Sequence, residues 1–258
     1  MRSGPTARLT GHQARVWDIA SSPDGSVLVS VSADASVKVW RVDDVEHTAI
    51  SDIASSHEGD IYAVVMHPGG KHVVTCGLDR TAKLSDLHTG VVLKTLTGHA
   101  ASVTDACINP IGNLVVTGSK DATVKFYDVS SGTCIKTLSK SLGEISSLAL
   151  NAQGDKLLAG STDSCNRLFD VRAGGALQRY KGHQNSRLSF VRAGFGPADA
   201  LVVGGSEDGR VFLWDTESGG VLGKMAGHGG PVFSAVWCDA AGRLASCSDD
   251  GTVRLWGA

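Results

Sequence analysis

Aspartate recurs along the chain at positions 34, 79, 121, 163, 208 and 250, in steps of 45, 42, 42, 45 and 42 residues. Each sits in a short polar turn between apolar runs, as Asp250 does between Leu244-Ala245-Ser246 and Val253-Arg254-Leu255-Trp256. Six residues after it stands an aromatic in five of the six units, namely Trp40, Tyr127, Phe169, Trp214 and Trp256; Ser85 is the exception. A Gly-His pair opens four units, at Gly11-His12, Gly98-His99, Gly182-His183 and Gly227-His228. It is weakened to Ser56-His57 in the second, and Ser141 holds the histidine position in the fourth. Histidine and aromatic position are 28 residues apart in four units, and three further apart in the fifth, where Asn185-Ser186-Arg187 is inserted. Such a chain is a repeat array. One supersecondary unit that cannot bury its own faces is copied until neighbours bury them for one another.

The runs between turns are about five residues of Val, Ile and Leu, bounded by Gly, Pro, Asp and Ser, which predicts short strands. Ser22-Pro23-Asp24-Gly25, His67-Pro68-Gly69-Gly70 and Asn109-Pro110-Ile111-Gly112 supply turns at equivalent places. No segment holds a helical period, so each unit reads as about four antiparallel strands. Net charge is −2, with basic residues scattered, which argues against a nucleic-acid partner. The six cysteines form no C-x-x-C pair, and several fall at apolar strand positions, so buried free thiols are expected. With no apolar leader and no run of 18 apolar residues, the expectation is a protein of the cytoplasm or nucleus with no membrane insertion.

The Gly-His pairs, the Trp214-Asp215 dipeptide and its variants Tyr127-Asp128 and Phe169-Asp170 resemble the WD-repeat (WD40) β-propeller proteins. Ser161 to Arg172 and Cys76 to Asp79 are most similar to the G-protein β subunit. The resemblance implies an all-β, single-domain propeller over 1–258. Its six blades of four antiparallel strands come from repeats at about 6–42, 48–86, 92–128, 134–171, 176–215 and 221–257. It also implies that Thr6-Ala7-Arg8-Leu9 pairs with the last blade and closes the ring. Six units, where the family usually has seven, leave three arrangements: a six-bladed ring, an open ring completed by a partner, or a chain lacking one unit.

The resemblance gives the repeated polar residues a structural role, as hydrogen-bonded tetrads within a blade. They are complete at His12, Ser30, Asp34, Trp40 and at His228, Ser246, Asp250, Trp256. They are partial at His99, Thr117, Asp121 with Tyr127 and at His57, Thr75, Asp79, and in the fourth blade Asp163 stands alone. Five of the nine histidines are these openers, and the other four lack ligand spacing, so no metal and no cofactor are expected. Repetition itself argues against a unique catalytic site.

By the same resemblance, three positions per blade ring the narrow mouth and carry partner contacts. Two flank the first apolar residue of the inner strand, and one precedes the turn aspartate. Among them are Arg15, Trp17, Asp60, Tyr62, Leu78, Lys120, Glu144, Phe190, Arg192, Glu207, Phe233 and Asp249. Aromatics beside charges of both signs suit a protein-binding surface. The reading is a non-catalytic scaffold binding partner segments of other proteins on the narrow face, within a multiprotein complex. Phe169-Asp170-Val171-Arg172 also resembles the W-D-x-R box of cullin-4 ubiquitin-ligase substrate receptors, a second reading. A coat or nuclear-pore subunit is a third. A propeller hydrolase is a fourth, and would have to use Asp60, Glu144, Glu207 or Asp249.

Overall fold

The computed structural model describes residues 8–257 except 44–48, 54–56, 140–142, 187–189 and 239–241. The chain is an all-β, six-bladed propeller. Blade 1 is Val16–Ser21, Val27–Ser32, Val37–Arg41 and Ala49–Ile53 (β1–β4); blade 2 is Ile61–Met66, His72–Gly77, Ala82–Asp86 and Val92–Leu96 (β5–β8). Blade 3 is Val103–Ile108, Leu114–Ser119, Val124–Asp128 and Cys134–Leu138 (β9–β12). Blade 4 is Ile145–Leu150, Lys156–Ser161, Cys165–Asp170 and Ala176–Lys181 (β13–β16). Blade 5 is Ala193–Phe195, Leu201–Gly204, Arg210–Asp215 and Val221–Ala226 (β17–β20), with a short 3-10 turn at Pro197–Asp199. Blade 6 is Val232–Cys238, Arg243–Ser248 and Val253–Trp256 (β21–β23). Each sheet is a meander in chain order.

Among the described residues the last sheet has three strands, and the outermost, β23, leaves Val253 and Leu255 exposed. Of the stretch expected to close the ring, Thr6 and Ala7 lie outside the described residues. All six cysteines are free thiols; Cys76, Cys107 and Cys165 are buried. Among the described residues no helix is long and apolar enough to cross a membrane, which says nothing of a β-barrel.

The chain forms two compact units, residues 1–117 with 126–136, and residues 118–125 with 137–258. In each, the core lies between successive blades rather than inside one. In the first unit Val29, Val31, Val37, Val39 and Ile53 of blade 1 pack with Ile61, Val64 and Val73 of blade 2. Val74, Leu84 and Leu96 of blade 2 pack in turn with Val103, Val115 and Tyr127 of blade 3. In the second, Leu158, Leu168 and Tyr180 meet Val202, Phe212 and Trp214, and Val203 and Val211 meet Val232 and Leu244. Each fully buried Val, Leu or Phe is worth about 1.5–3 kcal/mol, and one sheet alone leaves half of that unrealised.

The turn after each second strand holds its shape through the recurrent aspartate. Asp34 Oδ1 accepts the N–H of Ser36 at 2.9 Å, and Asp79, Asp121, Asp208 and Asp250 accept the N–H two residues on in the same way. This loop forces the intervening residue into the left-handed region. It is Gly209 and Gly251 in blades 5 and 6, but Ala35, Arg80, Ala122 and Ser164 in the first four.

Close approach of backbones between blades 5 and 6 yields a sharp contrast. A Cβ at Gly205 would lie 2.2 Å from the carbonyl oxygen of Val232, whereas one at Gly194 meets nothing within 4 Å. Gly205→Ala therefore forces β21 to move. It is expected to cost about 2 kcal/mol, or about 4–8 °C in melting temperature. Gly194→Ala is expected to be neutral or slightly stabilising. Thermal unfolding of both variants checks the pair.

Candidate functional site

The first strand is bulged at its start in blades 1, 2, 4 and 6. Register breaks between Val16 and Asp18, Ile61 and Ala63, Ile145 and Ser147, and Val232 and Ser234. The residues thrown out of the ladder are Trp17, Tyr62, Ser146 and Phe233. A bulge re-aims one side chain while both neighbours stay paired. The residue before each bulged pair is fixed by its carbonyl: Arg15, Asp60, Glu144 and Pro231 accept the N–H groups of Ala33, Leu78, Thr162 and Asp249 at 2.8–3.0 Å. In these four blades bulge and turn thus present three side chains at one end of the sheet.

In the first unit these side chains form a cluster. Trp17 and Tyr62 meet edge to face, with ring centroids 5.6 Å apart. The Arg15 guanidinium lies 5.0 Å from the Trp17 ring centroid, and the Trp17 indole N–H donates to Asp60 Oδ2 at 3.2 Å. Burial, and then the charge of Asp60, push the Tyr62 hydroxyl above its ordinary pKa. Leu78 is exposed beside them, close over Gly59. The two blades are joined further by the N–H of Val64, which donates to Asp18 at 3.1 Å.

In the second unit Lys120 Nζ lies 5.4 Å from the Phe190 ring centroid. Glu207 accepts the N–H and hydroxyl of Ser186 at 3.0 and 2.6 Å. Phe233 and Glu144 are half-buried and Asp249 is exposed.

Blade 5 corrects the sequence alignment. Ala193 pairs with Gly204, as Ile19 pairs with Ser30, Val64 with Thr75 and Ala235 with Ser246. Counting back from Ala193, Val191 and not Arg192 stands at the position of Trp17, and Arg192 matches Asp18. The carbonyl place held by Arg15 in blade 1 goes to Gln184, which accepts from the N–H of Glu207 at 3.0 Å, and not to Phe190. The inserted Asn185 is the cause. It is fully buried, its amide donating to Ser146 Oγ at 2.9 Å and to the Ser161 carbonyl at 3.2 Å. This draws the chain onto blade 4 before it re-enters its own sheet. Gln184 was missed because an insertion can be placed anywhere in an ungapped motif until a hydrogen bond fixes it.

Beneath the bulges lie the tetrads. The Trp40 indole N–H donates to Ser30 Oγ at 2.8 Å, Ser30 Oγ lies 2.7 Å from His12 Nε2, and His12 Nδ1 lies 3.3 Å from Asp34. Blade 6 repeats this with Trp256 to Ser246 at 2.7 Å, Ser246 to His228 at 2.7 Å and His228 to Asp250 at 3.0 Å. Burial opposes the charge of Asp34, but the Ser36 hydroxyl and the N–H groups of Gln13 and Ser36 outweigh it and hold the carboxyl well below its usual range. In blade 2 His57 bridges Thr75 and Asp79 at 2.9 Å each, with the Lys83 ammonium 3.6 Å from Asp79. Ser85, in the aromatic place, leaves its buried hydroxyl unpartnered.

Asp163, expected to stand alone, is paired. Arg167 donates to both of its oxygens and to Ser161 Oγ. In blade 5 Gly204 fills the hydroxyl position, and the Trp214 indole turns to the Lys181 carbonyl at 2.9 Å. His183, 3% exposed, packs edge-on against Trp214 with neither ring nitrogen partnered. Among the described residues no group of three or more His, Cys, Asp or Glu is placed to hold a metal.

Six meander sheets, four of them bulged where the first strand begins and three tied by hydroxyl–imidazole–carboxylate bridges, define a WD-type propeller. The family model described as WD domain, G-beta repeat (WD40) matches residues 3–41, 49–86, 90–128, 132–170, 174–215 and 219–257, and the chain belongs to that family. The chain matches the curated relatives named here over only about a tenth to a seventh of their own length. The chain is 40% identical over 83 residues to the WD repeat-containing protein 26 homolog of Arabidopsis thaliana, covering 31% of this chain and 14% of that protein. It is 37% identical over 79 residues to the Denticleless protein homolog of Danio rerio, 30% of this chain and 12% of that one. To Protein HIR1 of Eremothecium gossypii it is 35% identical over 92 residues, 36% and 11% of the two chains.

Two outcomes follow from the tetrads. Ser30→Ala leaves the Trp40 indole and the His12 ring nitrogen without a partner, and is expected to cost about 2 kcal/mol in thermal or denaturant unfolding. Burial pushes His183 from 6.5 down to about 4. A depressed histidine contributes its full stability above pH 6.5 and loses it as pH falls through that window towards 4, by about 3 kcal/mol. His57 is shifted the same way, by burial. His183→Phe is therefore expected to flatten, without abolishing, the fall in melting temperature between pH 6.5 and 4.

Proposed function

We propose that this protein is a non-catalytic interaction scaffold that binds segments of other proteins on the narrow face, at the bulge-bearing ends of its blades. The observation that carries the reading is the Arg15–Trp17–Tyr62–Asp60 cluster, where aromatic faces and both signs of charge are held by a sheet irregularity rather than by a mobile loop. Aromatic and arginine side chains dominate the energetics of protein interfaces, and a rigid platform loses little entropy on binding. Phe233 extends the same surface chemistry in the second unit. The tetrads serve the fold: in blades 1 and 6 their polar atoms are turned on one another. The scaffold works in the cytoplasm or nucleus within a multiprotein complex, without cofactor, nucleic acid or membrane insertion.

A substrate-receptor role built on Phe169-Asp170-Val171-Arg172 has less support. Phe169 is buried and Asp170 accepts the N–H of Ala173 within its own turn, so Arg172 is the exposed charge of that box. The hydrolase reading fares no better, since Asp60 and Glu207 are engaged by Trp17 and Ser186.

Proximity labelling in cells, comparing wild type with a Trp17→Ala, Tyr62→Ala, Phe233→Ala triple variant, tests the proposal. Loss of a subset of partners by a variant with an unchanged fold is the expected outcome. Each truncated anchor is worth about 2 kcal/mol, or roughly thirtyfold in affinity. Retention of every partner by the folded variant refutes the assignment.

A further inference from the structure

At the ends of blades 4 and 5 remote from the strand entrances, three turns line a half-open cavity of about 310 Å³. It is lined by Asn151, Gln153, Asp155 and Lys156 from the turn after β13, by Ala198, Asp199 and Ala200 from the 3-10 turn, and by Asp215, Thr216 and Glu217 after β19. Four carboxylates face one ammonium, a net charge of −3, on a chain whose total is −2. Asp215 is fixed in its charged form, because the hydroxyl and N–H of Ser218 hold its carboxyl below the usual range.

A second, independent feature points to an occupant. Thr216 is 4% exposed and its Oγ1 has no hydrogen-bond partner, although its own backbone is fully used. Its N–H donates to the Ala200 carbonyl at 3.1 Å, and its carbonyl accepts the Tyr180 hydroxyl at 2.8 Å. A buried hydroxyl held rigidly without a partner is costly unless something supplies one. The adjoining 3-10 turn is also held firmly. Ala198 and Asp199 both adopt left-handed backbone, with φ of 50° and 57°, and Asp199 Oδ2 accepts the N–H of Ala152 at 3.3 Å.

We propose that this cavity receives a single arginine side chain of a partner polypeptide. Its volume is at the lower limit of small-molecule pockets, room for one extended side chain rather than for a cofactor. The acceptors come from three separate turns, so they suit a donor whose five N–H groups diverge in a plane, as a guanidinium's do. A divalent cation needs oxygens converged on one point, and among the described residues no such group of acids occurs. A phosphate-bearing ligand is repelled by the net charge. The site lies within one of the two compact units and does not depend on the narrow-face reading.

The probe is the end-blocked pentapeptide Gly-Gly-Arg-Gly-Gly, with citrulline in place of arginine as the neutral isostere. Both are titrated into the full chain and followed by amide chemical shifts. Saturable perturbation confined to residues 151–156, 197–201 and 214–218 is expected, with the citrulline peptide at least tenfold weaker. Asp199→Asn, which tolerates the same left-handed backbone, and Glu217→Gln together are expected to weaken binding at least tenfold. Thr216→Val is expected to weaken it severalfold while leaving the melting temperature unchanged or raised. The Trp17, Tyr62, Phe233 triple variant is expected to bind the probe normally, which separates this site from the narrow face. Equal binding of the citrulline peptide, perturbations centred elsewhere, no saturable response, or a calcium or magnesium response at the same amides in place of the arginine one overturns the proposal.

Discussion

A half-buried carboxylate, an imidazole and a hydroxyl hydrogen-bonded in series are the constraint on which the blade depends. The bridge joins three places that the sheet ladder alone does not hold together: the segment before the first strand, the middle of the second strand, and the turn into the third. In blades 1 and 6 it starts further out, at an indole N–H. Hydrogen bonds in a low-dielectric interior are strong when every member is satisfied and costly when one is missing. The chain follows that rule by substitution. Arg167 replaces the imidazole in blade 4 with a guanidinium that reaches both Ser161 and Asp163. Blade 5 abandons the bridge, moving its indole to a backbone carbonyl and burying a neutral histidine against it.

What the bridge anchors is the start of the first strand, and that is where the bulges lie. Because the chain enters the sheet at a fixed point, the residue extruded from the ladder is fixed as well. Trp17 and Tyr62 therefore stand edge to face instead of folding back into the core. At the other end of the blades the turns are held differently, as where His67 links the Gly69 N–H to the Gly112 carbonyl, and in blades 4 and 5 they line an acidic cavity with one unsatisfied hydroxyl. One fold thus offers an aromatic, mixed-charge surface at one end of its sheets and an anionic recess at the other.

The spacing of Asp34, Asp79, Asp121, Asp163, Asp208 and Asp250 made the strands and turns legible, because each turn carries its own hydrogen-bonding chemistry and each strand its own apolar run. The position of Trp17 and Tyr62 at the strand entrance was legible for the same reason. The register of blade 5 was not. Whether Val191 or Arg192 takes the extruded place depends on where Asn185 docks, and that is decided by Ser146 and Ser161, some 25–40 residues earlier. Arg167 was visible as a residue but not as a stand-in for histidine, since its reach across the strand appears only once Ser161 and Asp163 are side by side. The cavity was invisible because it is assembled from three turns, none carrying a motif, and because the mark of Thr216 is a missing partner.

The bridge has a direction: indole donates to hydroxyl, hydroxyl to imidazole Nε2, and imidazole Nδ1–H towards the turn, to the carboxylate in blades 2 and 6 and to the Ser36 hydroxyl and Asp34 in blade 1. Long-range proton–nitrogen correlation spectra of the histidine rings at pH 8 read that direction ring by ring. His12, His57 and His228 are expected to carry their proton on Nδ1, against the ordinary preference for Nε2, with slow exchange of that proton. Protons on Nε2, or rapid averaging between the two nitrogens in those three rings, would contradict it.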